Sequence, residues 1–275
     1  MTDPAPHQTS RGLADVPLLP ASTVMLVRDT PIGGAPGAVQ TQLEVCLLLR
    51  NATSVFVGGA SLFPGGALDP EDGHDRVLAR CDGLTEAVAC NRLRVPSGGV
   101  AHWVAAVREA FEECALLCAV HEQDGRPLDL TARETKERFA AHRAAVDAGR
   151  VSLGEVLEVE GLRLDLAALH YVAHWVTPVG APRRYDTRFF VGPAPASQTL
   201  AHDGSEVVAA EWVVPAAALA QLEAGELSML PPTRESLRWL ASYSTAAEVL
   251  HAAAEIEEVP RYEPHFVTEL DGSVR

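Results

Sequence analysis

Basic residues are scarce in this sequence. Its 275 residues include 22 Lys and Arg against 37 Asp and Glu, which gives a formal net charge of -15 at pH 7. A chain with this charge repels nucleic-acid backbones and anionic lipid headgroups, so neither is expected as its main partner. An anionic substrate would need metal ions to bridge it to such a protein.

Long apolar runs are absent as well. No uninterrupted apolar stretch approaches the ~20 residues that a membrane-spanning helix needs. Residues 1–20 are polar and proline-rich, without a basic segment that leads into an apolar one, and are typical of a disordered arm. These features predict a cytoplasmic protein.

The five cysteines are odd in number and mostly have apolar neighbours, so they are expected to be reduced core thiols.

Apolar residues make up 47% of the chain, which is enough for a substantial core. Apolar runs bounded by Gly and Pro predict five strands, the first two as a hairpin-like pair, at 22–28, 43–50, 168–177, 186–192 and 207–214. Helical spacing predicts helices at 131–149, 152–159, 215–224, 233–243 and 245–257. One domain is expected over residues 21–257, with insertions at about 73–98 and 122–161 and a tail at 258–275.

Residues 108–113, with the sequence REAFEE, place three carboxylates on one side of a predicted helix that follows a Pro-Ser-Gly-Gly segment. At about 100° per residue, Glu109, Glu112 and Glu113 share one narrow sector. Apolar residues occupy the opposite side, namely Val104, Val107, Phe111, Cys114 and Cys118. Arg108 is the only basic residue within four positions of these acids, and it faces Glu112. Ser97 is the candidate N-cap of the helix.

Three acids this close repel one another unless they are protonated, widely solvated or bound to a metal. Considered alone, the segment is most often an exposed acidic turn. Upstream, the segment FPGGALDPED offers glycines that let a backbone approach a ligand closely, although a plain tight turn is the simpler interpretation. The two segments together favour a metal site.

FPGGALDPED and REAFEECAL together resemble the signature of the Nudix hydrolases, in which a glycine and a glutamate precede the pattern REUxEExGU. Three features depart from that signature. Asp72 stands where the family prefers Glu, residues 73–107 replace a spacer of about seven residues, and Ala115 stands where the family has Gly. The peroxisomal coenzyme A diphosphatase branch shares the long spacer, and the resemblance to it extends over residues 22–241, including HWVTPVGAPRRYDTRFFVG and LPPTRESLRWLA.

The resemblance implies an α/β fold of the Nudix type, an α/β/α sandwich with a mixed sheet, helical insertions and C-terminal helices. It also implies that Glu109, Glu112 and Glu113 bind Mg²⁺ or Mn²⁺, hard cations that prefer oxygen ligands. Arg108 would orient the glutamates, and Glu109, Glu112 and Arg108 would take part in catalysis. Gly65 and Gly66 would approach the substrate.

A general base in this family comes from the helix or from a later loop. Glu206 is the loop candidate, and a solvated acid at a strand entrance is an equally good interpretation of it. Arg183 and Arg184 form a fork of donors suited to phosphate, for example the 3′-phosphate of coenzyme A. Arg188, in the same cluster, is expected to pair with Asp186.

Other chemistry is less favoured. Cys114, Cys118 and His121 have helical spacing but lack an evident fourth ligand, so buried thiols are preferred to zinc. His170 and His174 share one face of a predicted strand, where satisfied or exposed histidines are the default interpretation. The serines lack a GxSxG elbow, which argues against a serine hydrolase.

The leading hypothesis is metal-dependent hydrolysis of a diphosphate linkage in a nucleoside diphosphate derivative, with coenzyme A or acyl-coenzyme A favoured. ADP-ribose, NADH and capped nucleotides are alternative substrates, and the insertion at 122–161 is expected to act as a lid that sets specificity. A catalytically weak Nudix-fold nucleotide-binding module is an alternative because of Asp72 and Ala115. The expected partner is a small-molecule nucleotide, and a homodimer stays open.

Overall fold

A computed structural model describes residues 16–32, 40–51, 59–202 and 207–265 of the protein. The described strands are β1 (Leu18–Pro31), β2 (Thr41–Arg50), β3 (Ser61–Leu62), β4 (Gly65–Ala67), β5 (Cys81–Asp82), β6 (Val120–His121), β7 (Leu162–Asp165), β8 (His170–Val176), β9 (Arg184–Pro193), β10 (Val207–Val213) and β11 (Arg261–Tyr262). The α-helices are α1 (Asp75–Leu78), α2 (Glu86–Leu93), α3 (Gly99–Cys114), α4 (Arg133–Asp147), α5 (Leu153–Glu160), α6 (Pro215–Glu223), α7 (Pro231–Leu240) and α8 (Ala246–Ala254).

The main sheet is mixed, and its central path runs β10-β2-β1-β9-β8-β11. The predicted hairpin is confirmed, because β1 and β2 pair antiparallel with Val27 opposite Val45. β1 also pairs parallel with β9 and antiparallel with β4. The glycine-rich strand β4 is thereby fixed at one end of β1.

Alternate residues of the central strands face opposite layers of helices, as the two-residue period of a strand requires. On β1, Val24 and Leu26 join the core cluster that contains α3, whereas Met25 and Val27 join the cluster that contains α7 and α8. Both faces of the sheet are therefore covered by helices. The expected α/β/α sandwich with a mixed sheet is confirmed.

Helix α3 is held against the sheet by both apolar and polar contacts. The Trp103 ring lies 4.6 Å from the Phe190 ring, centroid to centroid, and Trp103 Nε1 donates to the carbonyl of Leu169 at 2.9 Å. His102 Nδ1 and Ser22 Oγ form a buried hydrogen bond of 3.2 Å. These contacts fix the helix that carries the acidic cluster.

The N-terminus of α3 differs from the expectation, since Ser97 is not its cap. Gly98 occupies the cap position with a φ of 73°, and it has no side chain to accept a bond. Instead, the Glu86 carboxylate on α2 accepts hydrogen bonds from the backbone N–H groups of Gly99 and Val100, both at 3.0 Å. An acid at this end also complements the helix dipole.

The insertions contain the expected helices, α4 and α5 in residues 122–161 and α1 and α2 in residues 73–98. The strands and C-terminal helices predicted after residue 168 are also present, within a few residues of their expected ends. Within the expected tail, Arg261–Tyr262 pairs parallel with β8. Most of the N-terminal arm lies outside the described residues, and the domain limits stay a prediction. Among the helices described, none combines the length and apolar character needed to cross a bilayer.

Candidate active site

The acidic face of α3 meets the glycines of β4. The backbone N–H of Gly65 donates to Glu113 Oε2 at 2.8 Å. A Cβ atom built on Gly66 would lie 2.5 Å from Glu109 Oε1, so any other residue here would displace this carboxylate from its position. The two segments that residues 73–107 separate in sequence are thus in direct contact.

Arg108 lies at the centre of the cluster. Its Nη1 donates to Glu109 Oε1 at 2.9 Å and to Glu112 Oε2 at 3.0 Å. Its Nε and Nη2 donate to the two carboxylate oxygens of Asp72 at 2.8 and 3.0 Å, and Nη2 also donates to the carbonyl of Ala67 at 2.9 Å. This guanidinium therefore fixes two of the three glutamates relative to the glycine segment.

Asp72 is the residue whose role could not be recognised from the sequence. It is 1% exposed, and its carboxylate also accepts a hydrogen bond from the backbone N–H of Asp69 at 2.8 Å. That bond helps to cap the 3₁₀-helix Pro70–Gly73. Its position after Gly66, with five residues between them, was the available signal, and its partner is Arg108 on a distant helix.

Burial raises the pKa values of all three glutamates. Desolvation raises the pKa of Glu112 to about 7, with Arg108 opposing the rise and Glu109 adding to it. Desolvation and the charge of Glu109 raise the pKa of Glu113 to about 8, and desolvation also raises the pKa of Glu109. Arg108, and Arg50 near Glu109 and Glu113, oppose these rises in pKa but do not cancel them.

Comparisons with known proteins agree with the fold described above. The profile of a family described as the NUDT19 Nudix domain matches residues 84–240. The chain belongs to the Nudix hydrolase family. A solved Nudix hydrolase structure from Alicyclobacillus acidocaldarius is 27% identical, with a TM-score of 0.69 over 86% of this chain and 97% of that one.

Two curated relatives are named acyl-coenzyme A diphosphatase NUDT19. The Xenopus laevis protein is 26% identical over 234 residues, which cover 75% of this chain and 62% of the relative. The Homo sapiens protein is 27% identical over 263 residues, which cover 84% of this chain and 70% of the relative. This chain therefore matches less than two thirds of the length of the Xenopus protein.

The Nudix helix α3 offers oxygen donors of the kind that divalent cations prefer. Within the described residues, no group of three or more His, Cys, Asp or Glu side chains is arranged to hold a metal ion. Hydrogen bonds among the described residues nevertheless use only one oxygen each of Glu109, Glu112 and Glu113. The chemistry and charge of this donor set fit a divalent cation.

Ala115 ends the Nudix helix in the left-handed conformation that the family's glycine would adopt. Its φ is 60°, and the N–H groups of Ala115 and Leu116 donate to the carbonyls of Phe111 and Ala110 at 3.1 and 3.2 Å. The bond from the Ala115 N–H to the Phe111 carbonyl is that of the αL motif at a helix C-terminus. Alanine therefore does not obstruct the turn, although an L-residue is strained there by roughly 1–2 kcal/mol.

The other residues that the sequence singled out have no hydrogen bond to this carboxylate cluster among the described residues. Glu206 lies outside the described residues. Arg184 Nη2 donates to Glu263 at 2.7 Å and Arg184 Nε to the carbonyl of Thr177 at 3.1 Å, so its guanidinium is engaged, whereas Arg183 is exposed. The expected pairing of Arg188 with Asp186 is confirmed, and Arg188 also contacts His174.

Two cavities adjoin the cluster. A cavity of about 610 Å³ shares the glycine strand β4 as a wall, since Gly65 and Gly66 line it; this is called the sheet cavity. A cavity of about 320 Å³ lies between the Nudix helix and α4 of the lid insertion, and Glu112 lines it; this is called the lid cavity. The carboxylates thus lie between two spaces that could hold parts of a ligand.

Proposed function

We propose that the protein hydrolyses a diphosphate linkage in a nucleoside diphosphate derivative, that the reaction depends on Mg²⁺ or Mn²⁺, and that coenzyme A or acyl-coenzyme A is the favoured substrate. The observation that carries the proposal is the contact of the Nudix helix with β4, in which Glu113 accepts from the Gly65 N–H and Glu109 packs against Gly66. The names of the vertebrate relatives support the substrate.

The residues of the site have distinct tasks. Glu109, Glu112 and Glu113 would hold the metal, which when bound neutralises diphosphate charge and lowers the pKa of a coordinated water. Arg108 orients Glu109 and Glu112 through its Nη1 bonds. Asp72 in turn holds Arg108 in place.

A proton must leave the attacking water. Glu206 is proposed as the general base that accepts it. Glu206→Gln should then lower kcat sharply and leave Mn²⁺ affinity nearly unchanged, because the ligand set on the Nudix helix is intact. Unchanged turnover would remove Glu206 from the mechanism.

The test of the activity is a substrate panel with purified protein and Mg²⁺ or Mn²⁺. We expect coenzyme A and acyl-coenzyme A to be cleaved between the two phosphates, which releases 3′,5′-ADP from both and 4′-phosphopantetheine or its acyl derivative. ADP-ribose, NADH and a capped nucleotide complete the panel. Hydrolysis of one of these but not of coenzyme A would refute the substrate assignment.

Calorimetry with Mn²⁺ tests the metal site independently of turnover. Glu112→Gln and Glu113→Gln should each weaken Mn²⁺ binding, whereas Glu155→Gln, which changes a half-buried acid of the lid helix α5 outside the cluster, should not. Equal binding by all of these proteins would refute the metal site.

A further inference from the structure

The two cavities beside the cluster differ in size and chemistry. The sheet cavity is almost twice as large as the lid cavity. Trp175, Phe189 and Leu62 contribute to its mostly apolar wall, and its charged or titratable lining residues are Arg50, Tyr185 and His265. Such a wall favours an apolar chain, since each buried CH₂ group contributes about 0.8 kcal/mol.

Charged groups of both signs line the lid cavity. Lys136, Arg143 and His202 line it together with Glu112 and Asp147. If Glu112 binds a metal ion, its charge is neutralised and the basic side chains outnumber the remaining acid. The cavity then suits an anionic group that is attached to the diphosphate.

Lys136 is the single lysine of the chain, in a protein with a net charge of -15. Its side chain is exposed, and the ammonium group forms no hydrogen bond or ion pair with any residue that the structure describes. By contrast, Arg133 on the same helix is paired with Glu137 at 2.7 Å. Lys136 can therefore bind a ligand phosphate without first breaking a contact among the described residues.

The lid cavity is also fixed relative to the Nudix helix. Arg143 Nε on α4 donates to the backbone carbonyl of Glu112 at 2.8 Å. Glu112 itself receives a bond from Arg108, which also holds Glu109 against Gly66. A continuous set of contacts thus links the lid cavity, the carboxylates and the sheet cavity.

We propose that the two arms of the substrate separate at the carboxylate cluster, with pantetheine and any acyl chain in the sheet cavity and the phosphorylated nucleoside in the lid cavity, where Lys136 binds the 3′-phosphate. This orientation rests on the proposed function. It makes Lys136 a specificity-determining residue for coenzyme A over its 3′-dephospho form, and the sheet cavity the determinant of acyl-chain preference.

The test compares kcat/KM for coenzyme A, 3′-dephospho-coenzyme A and octanoyl-coenzyme A. Lys136→Ala should lower kcat/KM for coenzyme A about tenfold through KM, as expected for one charge-assisted hydrogen bond. It should leave the dephospho substrate unaffected, and Lys136→Arg should restore most of the loss. Arg133→Ala is the matched control on the same helix, where the side chain is 92% exposed.

The sheet cavity is tested by Thr187→Phe, which projects a ring from β9 into the space. It should lower the ratio of octanoyl-coenzyme A to coenzyme A turnover several-fold and leave the ratio of coenzyme A to dephospho-coenzyme A unchanged. Ala181→Phe, on the loop before β9, is the second variant if the strand substitution disturbs folding.

Binding of 3′,5′-ADP alone, measured by calorimetry, gives a readout that does not need turnover. Wild type and Lys136→Arg should bind it, and Lys136→Ala should bind it about tenfold more weakly. Equal effects of Lys136→Ala on phosphorylated and dephospho substrates, or loss of discrimination in Arg183→Ala instead, would overturn the orientation. If the wild type cleaves no diphosphate substrate, the proposed function fails rather than the orientation.

Discussion

Arg108 holds its position through a buried ion pair that contributes to both stability and site geometry. Asp72 supplies two of its hydrogen bonds and is 1% exposed. Asp72→Ala would leave the guanidinium without its bidentate partner, and breaking a buried pair in this way costs about 3–5 kcal/mol. We therefore expect a loss of about 3 kcal/mol in the free energy of unfolding, measured by urea denaturation.

The matched control is Asp82→Ala. Asp82 pairs with Arg163 through the same two-oxygen arrangement, but its side chain is 52% exposed. An exposed pair contributes less than about 1 kcal/mol. Equal losses in the two variants would show that burial of the Asp72 pair is not what makes it important.

Ala115 gives a prediction of the opposite sign. Because it occupies the left-handed region with a φ of 60°, Ala115→Gly should relieve strain, and the greater entropy of unfolded glycine offsets part of the gain. A net stabilisation of about 0.5–1 kcal/mol is expected in urea denaturation. Ala241→Gly at the end of α7, where φ is -65°, should instead destabilise, and stabilisation by both would contradict the strain argument.

The residues of the site differ in how well the sequence alone predicts their contacts. Helical periodicity places Glu109, Glu112 and Glu113 together and brings Arg108 to Glu112, because these relations are local. The bond between Asp72 and Arg108 spans 36 positions, so no local pattern reports it. Glu86, rather than Ser97, satisfies the start of α3 for the same reason, since its carboxylate comes from another helix.

At the scale of elements, the contact of β4 with α3 gives the neighbouring glycines Gly65 and Gly66 different roles. A Cβ on Gly66 would meet the Glu109 carboxylate at 2.5 Å, whereas a Cβ on Gly65 would meet the backbone carbonyl of Ser22 at 2.5 Å. Gly66→Ala should displace the Glu109 carboxylate, a proposed metal ligand, and lower kcat about tenfold or more with a small loss of stability. Gly65→Ala must shift β1, so thermal denaturation should show a loss of about 1–3 kcal/mol.

Gly73→Ala is the control for both glycine variants. It lies in the same segment, and its added Cβ would meet the nearest atom, Ala101 Cβ, at an ordinary 3.7 Å. It should change neither kcat nor stability appreciably. If Gly66→Ala leaves kcat at the wild-type level, close approach of this backbone to Glu109 is not required for turnover.

The predicted strands and helices were correct where the sequence has a strong apolar periodicity or a clear capping residue. The apolar runs of β1 and β2 and the Ser152 start of α5 are readable because each pattern lies within one segment. β11 has only two residues, Arg261 and Tyr262, and its pairing with β8 depends on a strand far away in sequence. Short elements of this kind carry no periodic signal.

At the scale of the whole molecule, the sandwich places Asp72, Glu109 and Glu112 around the buried guanidinium of Arg108, with Glu113 beside them, and so would couple the proposed metal binding to folding. Glu112 and Glu113, with pKa values raised to about 7 and about 8 mainly by burial, hold protons that the unfolded chain has lost above about pH 4.5. Metal binding would replace those protons. Stability, pH and metal content are therefore coupled.

The sign of the pH dependence follows from these shifts. A carboxyl group whose folded pKa is raised stabilises the fold at low pH, and this stability is lost as pH rises through the folded value. Burial lowers the pKa of His102 to about 4. This shift makes stability rise with pH, and the rise is complete above about pH 6.5, the ordinary pKa of histidine. Burial raises the pKa values of Cys81 and Cys118 to about 12. Ionisation of these thiols therefore changes stability only at a higher pH than titration of the glutamates.

Between about pH 6.5 and 8, the metal-free protein should therefore lose stability as pH rises, by up to roughly 1.4 kcal/mol per pH unit for each proton released. The measurement is Tm against pH after chelator treatment, repeated with saturating Mn²⁺. Mn²⁺ should flatten or reverse the slope, because binding favours the ionised carboxylates. Glu113→Gln should reduce the metal-free slope, whereas Glu155→Gln should keep it, and an identical slope with and without Mn²⁺ would show that the cluster does not exchange protons for metal.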